Sequence, residues 1–334
     1  MPALRKVLQG EQGLPPPLWI MRQAGRYLPE YRDIRKKFPD FMEFCLTPEA
    51  VTTVTLQPID RFDFDAAIIF CDILIIPHVL GQTVQFIEGE GPRLAKVDWP
   101  AFLESANKKT VLSFLEPVFK AISSTRQALP SHKSLIGFCG SPWTIACYMM
   151  QGGKVGLGLA DLDHDLTRSL IQTLQQHLVD FLLGQIQAGC DVIQIFDSWA
   201  VLVEPENQSE YLWQPLFFIC NAIRKVHPQI PIIYYGREVS QFYPYLASHV
   251  KDLCFGLDQY TDPTWAADVV QPLAPVQGNL DPLLLVDGTF EKATDNILKT
   301  LSAEPFVFNL GHGILPQTPL DHVYRLVEQV RTFK

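Results

Sequence analysis

The chain has 334 residues, 47% of them hydrophobic and 19% charged, and a formal net charge of −9 at pH 7. That length suits one large domain or two ordinary ones, and the acidic balance excludes nucleic acid as the main partner, since phosphate binding wants a basic face. The seven cysteines are odd in number, scattered and never spaced C-x-x-C, which reads as free thiols in a reducing compartment rather than disulfides or a zinc site. The opening "MPALRKVLQGEQG" is too poor in apolar residues for a signal peptide. The most apolar stretch, "DAAIIFCDILIIPHVLG", is broken by Asp72, Pro77 and His78 short of the ~20 residues of a membrane span. The expectation is a cytoplasmic protein with no membrane partner.

In chain order, short apolar runs bounded by turn residues appear eight times. They are "LWIM" (18–21), "AAIIF" (66–70), "SLIGF" (134–138), "DVIQIF" (191–196), "PIIYY" (231–235), "LCFGL" (253–257), "APVQG" (274–278) and "FVFNL" (306–310). Near-continuous hydrophobicity marks strands covered on both faces, as in parallel sheets. Helical patterns lie between them. "TPEAVTTV" opens a helix with Thr47 as N-cap and Pro48 in the first helical position. From Ser169 to Cys190, the positions Leu170, Leu174, Leu178, Phe181, Leu182 and Ile186 form one amphipathic stripe. "DHVYRLVEQVRTF" reads as a closing helix with Val323, Tyr324 and Val327 on one side.

Strands alternating with helices over this length predict a single (β/α)8 TIM-type barrel domain spanning 1–334. A doubly wound sheet is the alternative, but no G-x-G-x-x-G follows any strand. A barrel places its chemistry at the C-terminal strand ends. Polar candidates stand there: Arg22, Asp72, Tyr148, Asp197 with Ser198, Asn279 with Asp281, and Gly311-His312-Gly313.

The segment "MRQAGRYLPEYRDIRKKF" (21–38) carries six positive residues against Glu30 and Asp33, within an acidic chain. A charge run is usually solvated surface, and Lys36 and Lys37 are read so. Arg22 and Arg26, however, flank the small Ala24 and Gly25, which let a ligand approach the backbone, and guanidinium forks grip carboxylates bidentately. The reading is a site for a polyanion.

"PPPLWIMRQAGRYLPEYR" resembles a signature of the uroporphyrinogen decarboxylase family. "GFCGSPWTIACYMMQGG" (137–153), "LQPIDRF" (56–62), "AAIIFCDIL" (66–74), "QGNLDP" (277–282) and "NLGHGI" (309–314) resemble further family segments, in order along the chain. The resemblance implies a (β/α)8 barrel, a homodimer, and decarboxylation of the four acetate arms of uroporphyrinogen III to methyls in haem biosynthesis, with no cofactor. It implies that Arg22 and Arg26 bind substrate carboxylates, that Arg35 is a further carboxylate contact at the rim, and that Gln23, with Met21, Ile69, Phe70, Ile73 and Phe138, walls the cleft. Asp72 is implied as the acceptor of pyrrole N–H groups that balances a developing cation; alone it reads as a barrel-rim hydrogen bond or a helix cap. Tyr148, Ser198 and His312 are the remaining implied polar contacts, though Tyr148 alone reads as core packing and Ser198 as an N-cap. The resemblance also puts Arg22 forward as proton donor; a guanidinium, with a pKa above ~12, is an awkward acid, and a water held by Arg22 is the alternative. No His, Cys and carboxylate set has metal-ligand spacing. Two rival readings are a zinc-dependent barrel methyltransferase and a non-catalytic tetrapyrrole-binding protein. The chain departs from the family pattern at Val201, where glycine is common, at Gln259, where tryptophan is common, and in "YYGREVSQF" (234–242).

Overall fold

The computed structural model describes residues 1–87, 89–153 and 163–334. Nine strands are present among them: β1 Ala66–Ile68, β2 Val84–Ile87, β3 Gly91–Leu94, β4 Ser134–Gly140, β5 Val192–Asp197, β6 Ile232–Gly236, β7 Leu253–Gly256, β8 Val276–Leu280 and β9 Phe306–Leu310. Seven form one parallel sheet in the order β1-β4-β5-β6-β7-β8-β9, with helices in the connections. Every residue of β1, β4, β6, β7, β8 and β9 is buried, as continuous apolar runs require when a sheet is covered on both faces.

The first apolar run is not a ladder strand. It closes the gap between β9 and β1 through one parallel bridge, Leu18 to Phe308. The Phe308 N–H donates to the Pro17 carbonyl at 2.9 Å, and the Asp65 N–H to the Leu18 carbonyl at 2.9 Å. Pro15, Pro16 and Pro17 supply no N–H, so a longer ladder is impossible here. A side chain completes the seam instead: Asp65 Oδ2 accepts from the Leu18 N–H at 2.7 Å and from Arg331 Nη1 at 2.7 Å.

The barrel interior carries a polar thread. Trp19 Nε1 donates to Gln277 Oε1 at 3.1 Å, and Gln277 Nε2 to Gln194 Oε1 at 3.1 Å. Gln277 on β8 and Gln194 on β5 are three strands apart, so they meet only through the lumen, and all three residues are buried.

The expected helices form with shifted details. The stripe expected over 169–190 lies on His164–Ala188. Thr47 precedes the helix Pro48–Phe62 as expected, but its hydroxyl donates back to the Glu43 carbonyl at 2.8 Å instead of capping. In the closing helix, Leu320–Thr332, the buried face is Val323, Leu326 and Val330; Tyr324 is exposed. The antiparallel hairpin β2–β3, pairing Val84 with Leu94, was not expected. Among the described residues, no helix is long and apolar enough to cross a membrane.

Candidate active site

A cavity of about 460 Å³ opens at the C-terminal end of the barrel. Arg22, Arg26, Asp72, Tyr148, Ser198 and His312, which lie far apart in the chain, all line it. Most of the remaining wall is apolar, including Met21, Ile69, Phe70, Ile73 and Phe138.

Arg22 sits in the turn after the first run, in the left-handed region at φ 63°. For a non-glycine residue this backbone costs about 1–3 kcal/mol, and surrounding contacts must hold it. They do so from both sides. The Met21 N–H donates to Asn309 Oδ1 at 3.0 Å, and the Ile314 N–H to the Met21 carbonyl at 2.9 Å. Gln23, completely buried, accepts from the Ile20 N–H at 3.1 Å and donates to the Ala66 carbonyl at 2.9 Å. "NLGHGI", which runs from the last two residues of β9 into the loop beyond, is therefore the clamp that presents Arg22.

The two glycines of that motif answer to packing. A Cβ on Gly311 would stand 2.2 Å from the Gln259 backbone nitrogen, and one on Gly313 would stand 2.4 Å from Arg22 Cδ. Gly313 thus makes room for the arginine stem.

Arg22 and Arg26 are exposed to the cavity and form no ion pair with any described residue. Arg32, by contrast, spends its guanidinium on the Arg26 and Tyr27 carbonyls at 2.7 and 3.2 Å, and Arg61 holds Glu30. Asp72 accepts from the Leu74 N–H at 2.8 Å through Oδ1, so of the two roles expected of it alone, the barrel-rim hydrogen bond is present and the helix cap is not. Its Oδ2 takes no hydrogen bond from the described residues. Loss of water pushes the Asp72 carboxyl above its ordinary value, against the Leu74 N–H and the Arg22 charge, which pull it down.

Desolvation, reinforced by the guanidiniums of Arg22 and Arg237, pushes His312 down to about 4. Its imidazole is neutral at neutral pH and offers a carboxylate an N–H donor rather than a charge. Burial raises the Tyr148 phenol, which stays protonated and able to donate. Ser198 stands at the end of β5, beside the buried Asp197.

Two expected contacts are placed behind the wall. Gln23 is consumed by its backbone brace. Arg35 folds onto its own loop, donating through Nη1 to the Phe38 carbonyl with its guanidinium carbon 5.4 Å from the Phe41 ring centre. Asn279 and Asp281, strand-end candidates, are structural: Asn279 Nδ2 donates to the Asp258 and Thr261 carbonyls at 2.9 and 2.7 Å, and Asp281 caps the next helix through the Leu283 N–H at 2.8 Å. Sequence reasoning missed Phe41, Phe86, Pro92 and Tyr235, which also line the cavity. Phe86 and Pro92 belong to the hairpin, whose signal is the alternation in "VQFI" before a glycine-rich turn. Tyr235 lines the site and donates to the Gly311 carbonyl at 2.9 Å, tying β6 to the clamp.

Of the departures from the family pattern, Val201 is 41% exposed and projects away from the packed interior. Gln259 is pinned by the close approach of Gly311 to its backbone, and its Oε1 is buried without a partner. Neither lines the cavity.

Among the described residues, no three or more His, Cys, Asp or Glu side chains are grouped so as to hold a metal ion. In overall shape the chain is similar to a methyltransferase from Methanosarcina mazei, with a TM-score of 0.80 over 99% of this chain and 98% of that one, at 18% identity. A B12-independent methionine synthase from Shewanella sp. W3-18-1 superposes with a TM-score of 0.56 at 12% identity over 96% of each chain. At such identities the likeness concerns the fold alone. Sequence relatives are closer. A protein of Acidiphilium cryptum (strain JF-5) named uroporphyrinogen decarboxylase is 43% identical over 100% of this chain and 94% of its own length. One of the same name from Rhodospirillum rubrum is 41% identical over 98% of this chain and 96% of its own length. The family model described as "Uroporphyrinogen decarboxylase (URO-D)" matches residues 1–333, so both the cavity and the barrel that carries it lie inside the match, and the chain belongs to the uroporphyrinogen decarboxylase family.

Proposed function

We propose that the chain is a carboxy-lyase of porphyrin biosynthesis that converts the four acetate arms of uroporphyrinogen III to methyl groups, giving coproporphyrinogen III. The observation that carries this reading is one cavity holding two guanidiniums, Arg22 and Arg26, that are unpaired among the described residues, beside one desolvated carboxylate, Asp72.

The chemistry asks for those groups. Each step releases carbon dioxide from a CH2–COO⁻ arm and adds one proton to the carbon left behind. The electron pair of the breaking C–C bond needs a sink, and a pyrrole protonated at a ring carbon provides it as an iminium-like cation. Asp72, whose Oδ2 takes no bond from the described residues, accepts the pyrrole N–H groups and stabilises that cation in a desolvated setting, where a fixed charge acts most strongly. Arg22 and Arg26 hold substrate carboxylates, and Tyr148, Ser198 and neutral His312 supply neutral hydrogen bonds to others. A water held by Arg22 is the better proton source than the guanidinium itself, given how weak an acid that group is. Gln23 and Arg35 act from behind, one fixing the Arg22 turn and the other the loop that carries Phe41.

The rest of the reading is that residues 1–334 work as one (β/α)8 domain, paired as a homodimer in the cytoplasm. The seven cysteines, all free and six of them buried, are in keeping with a reducing compartment. Light scattering at working concentration tests the dimer, and a monomer mass would overturn it.

Anaerobic incubation with freshly reduced uroporphyrinogen III and no added metal or cofactor tests the activity. Successive seven-, six-, five- and four-carboxyl products are expected. An intact octacarboxylate in the presence of folded protein would overturn the reading and leave a binding protein or a methyltransferase.

A further inference from the structure

Two strands from Asp72, at the end of β5, lies a second carboxylate that the chemistry above does not use. Asp197 is 1% exposed and pairs with no cation among the described residues. Three hydroxyls donate to it: Ser141 at 2.6 Å and Thr144 at 2.8 Å to Oδ1, and Tyr234 at 3.1 Å to Oδ2. Burial pushes it up to about 6 despite those three bonds. An uncompensated buried charge is a poor choice for stability alone, since a neutral or apolar cluster would fill the same space at lower cost.

What a carboxylate does at both of its oxygens, and a hydroxyl or an amide side chain in its place does not, is accept without donating, which fixes direction. It has no proton to give, so all three hydroxyls must donate to it and their lone pairs are left for others. The Ser141 oxygen accepts from the Thr144 N–H at 3.0 Å, capping the helix Pro142–Gln151. The Thr144 oxygen accepts from the Trp199 N–H at 3.2 Å. Trp199 is further held through its carbonyl, which accepts from Trp143 Nε1 at 2.8 Å. Ser198 lies between Asp197 and Trp199, both locked. Tyr148 is one helical turn beyond Thr144, on the same face, and its ring packs edge-on to Trp199 with centres 6.0 Å apart. The Arg237 N–H donates to the Asp197 carbonyl at 3.2 Å, bringing in the loop after β6.

We propose that Asp197 is a positioning residue for the decarboxylation: by accepting from Ser141, Thr144 and Tyr234 its side chain ties the segment after β4 and the strand β6 to the end of β5 and sets Tyr148 and Ser198 against the substrate. The inference rests on the cavity being the decarboxylation site. It assigns Asp197 no contact with substrate.

The test is a set of coupled variants assayed for loss of the first carboxylate. Thr144→Val breaks the link to Trp199 while leaving Asp197 its other two donors. Its kcat/KM should fall about ten-fold, the scale of couplings within one hydrogen-bond network, while Thr144→Ser stays within about two-fold of the parent. In a chain already carrying Tyr148→Phe and Ser198→Ala, Thr144→Val should cost less than about two-fold, because the groups it positions are gone. The same ten-fold loss in both backgrounds, or no loss in either, overturns the proposal, since a structural contribution would be additive. Should Thr144→Val not fold, Asp197→Asn, which keeps the shape and one acceptor oxygen, is taken through the same cycle: a loss confined to the parent background supports the proposal, and an equal loss or none in both backgrounds overturns it. Absence of turnover in the parent chain is seen before any variant is made, and overturns the decarboxylase reading instead.

Discussion

Asp72 and Asp197 are both strand-end carboxylates, both pushed up by loss of water, and they do opposite things. Asp197 has both oxygens occupied by protein hydroxyls and lies outside the cavity lining. Asp72 lines the cavity with one oxygen tied to the Leu74 N–H and the other, among the described residues, left open, together with guanidiniums that likewise find no partner among those residues. A buried carboxylate whose bonds are complete is finished in the folded chain; one whose bonds are incomplete in a cavity of unpaired cations is completed by a ligand. Hydrogen-bond accounting separates them where the direction of the pKa shift does not.

The largest effect should come from removing the open charge. Asp72→Asn keeps the Leu74 N–H bond through its carbonyl oxygen and the shape of the site. Its kcat should fall by about 10²–10³, the usual loss for one preorganised electrostatic group. Its Tm should hold or rise, because a desolvated charge has been removed. Thermal scans alongside single-turnover assays would check both halves; near-parental turnover would sink the assigned role.

Next is the clamp on Arg22. Gly313→Ala places a methyl 2.4 Å from Arg22 Cδ, and the guanidinium must move. A displacement of about 1 Å at a substrate-positioning group costs on the order of 10² in rate, so kcat/KM should drop by about that factor. The change should mimic Arg22→Ala in direction, and Gly313→Ala should add little once Arg22 is gone. A fully additive pair would mean that Gly313 serves something other than the arginine.

On the other side of the comparison the loss should be in stability. Asp197→Ala leaves the hydroxyls of Ser141, Thr144 and Tyr234 buried without their acceptor, at about 1–3 kcal/mol for each group left unpaired, offset by relief of the buried charge. A net destabilisation of about 2–4 kcal/mol in urea unfolding is expected. Asp72→Ala should lose far less stability, and the reverse order would break the distinction drawn between the two carboxylates.

How much of this could be read in the residues differs by kind of information. The strands were legible because a parallel barrel buries both faces, and seven of the eight apolar runs become ladder strands. The eighth, at Leu18, kept its place in the barrel but not its ladder, since three prolines remove the donors and the Asp65 side chain takes over. The hairpin at 84–94 was missed because its alternation is brief and polar-faced, yet it delivers Phe86 and Pro92 to the cavity. Motif resemblance brought out Arg22, Arg26, Asp72, Tyr148, Ser198 and His312, which the fold gathers around one cavity. It could not separate side chains that face the cavity from those behind it: Gln23 is one residue from Arg22 and points into the wall. Nor did residue type reveal why Gly311 and Gly313 are glycines, because the atoms they make room for belong to Gln259 and Arg22, far off in sequence.

The smallest predicted effect is also the one that compares charges most directly. Asp197 has a folded value of about 6 against an ordinary 3.8, so the folded state holds its proton more tightly, and this stabilising contribution is lost as pH rises from about 4 to about 6. His312 has a folded value of about 4 against an ordinary 6.5, so the folded state disfavours its proton, and its contribution is lost as pH falls from 6.5 to about 4. The two slopes oppose one another across nearly the same window. Taken as differences from the parent chain, Asp197→Asn should gain stability relative to the parent as pH rises from about 4 to about 6, and His312→Gln should lose it. Each trend should amount to about 1.5 °C or more in Tm, the size of roughly 1 kcal/mol in a chain of this length. Thermal melts of the three proteins at closely spaced steps from about pH 4 to about pH 7 would settle the signs. Parallel curves for Asp197→Asn and the parent would mean that the three hydroxyls hold the Asp197 carboxylate ionised at all these pH values, and that desolvation is fully offset by its hydrogen bonds.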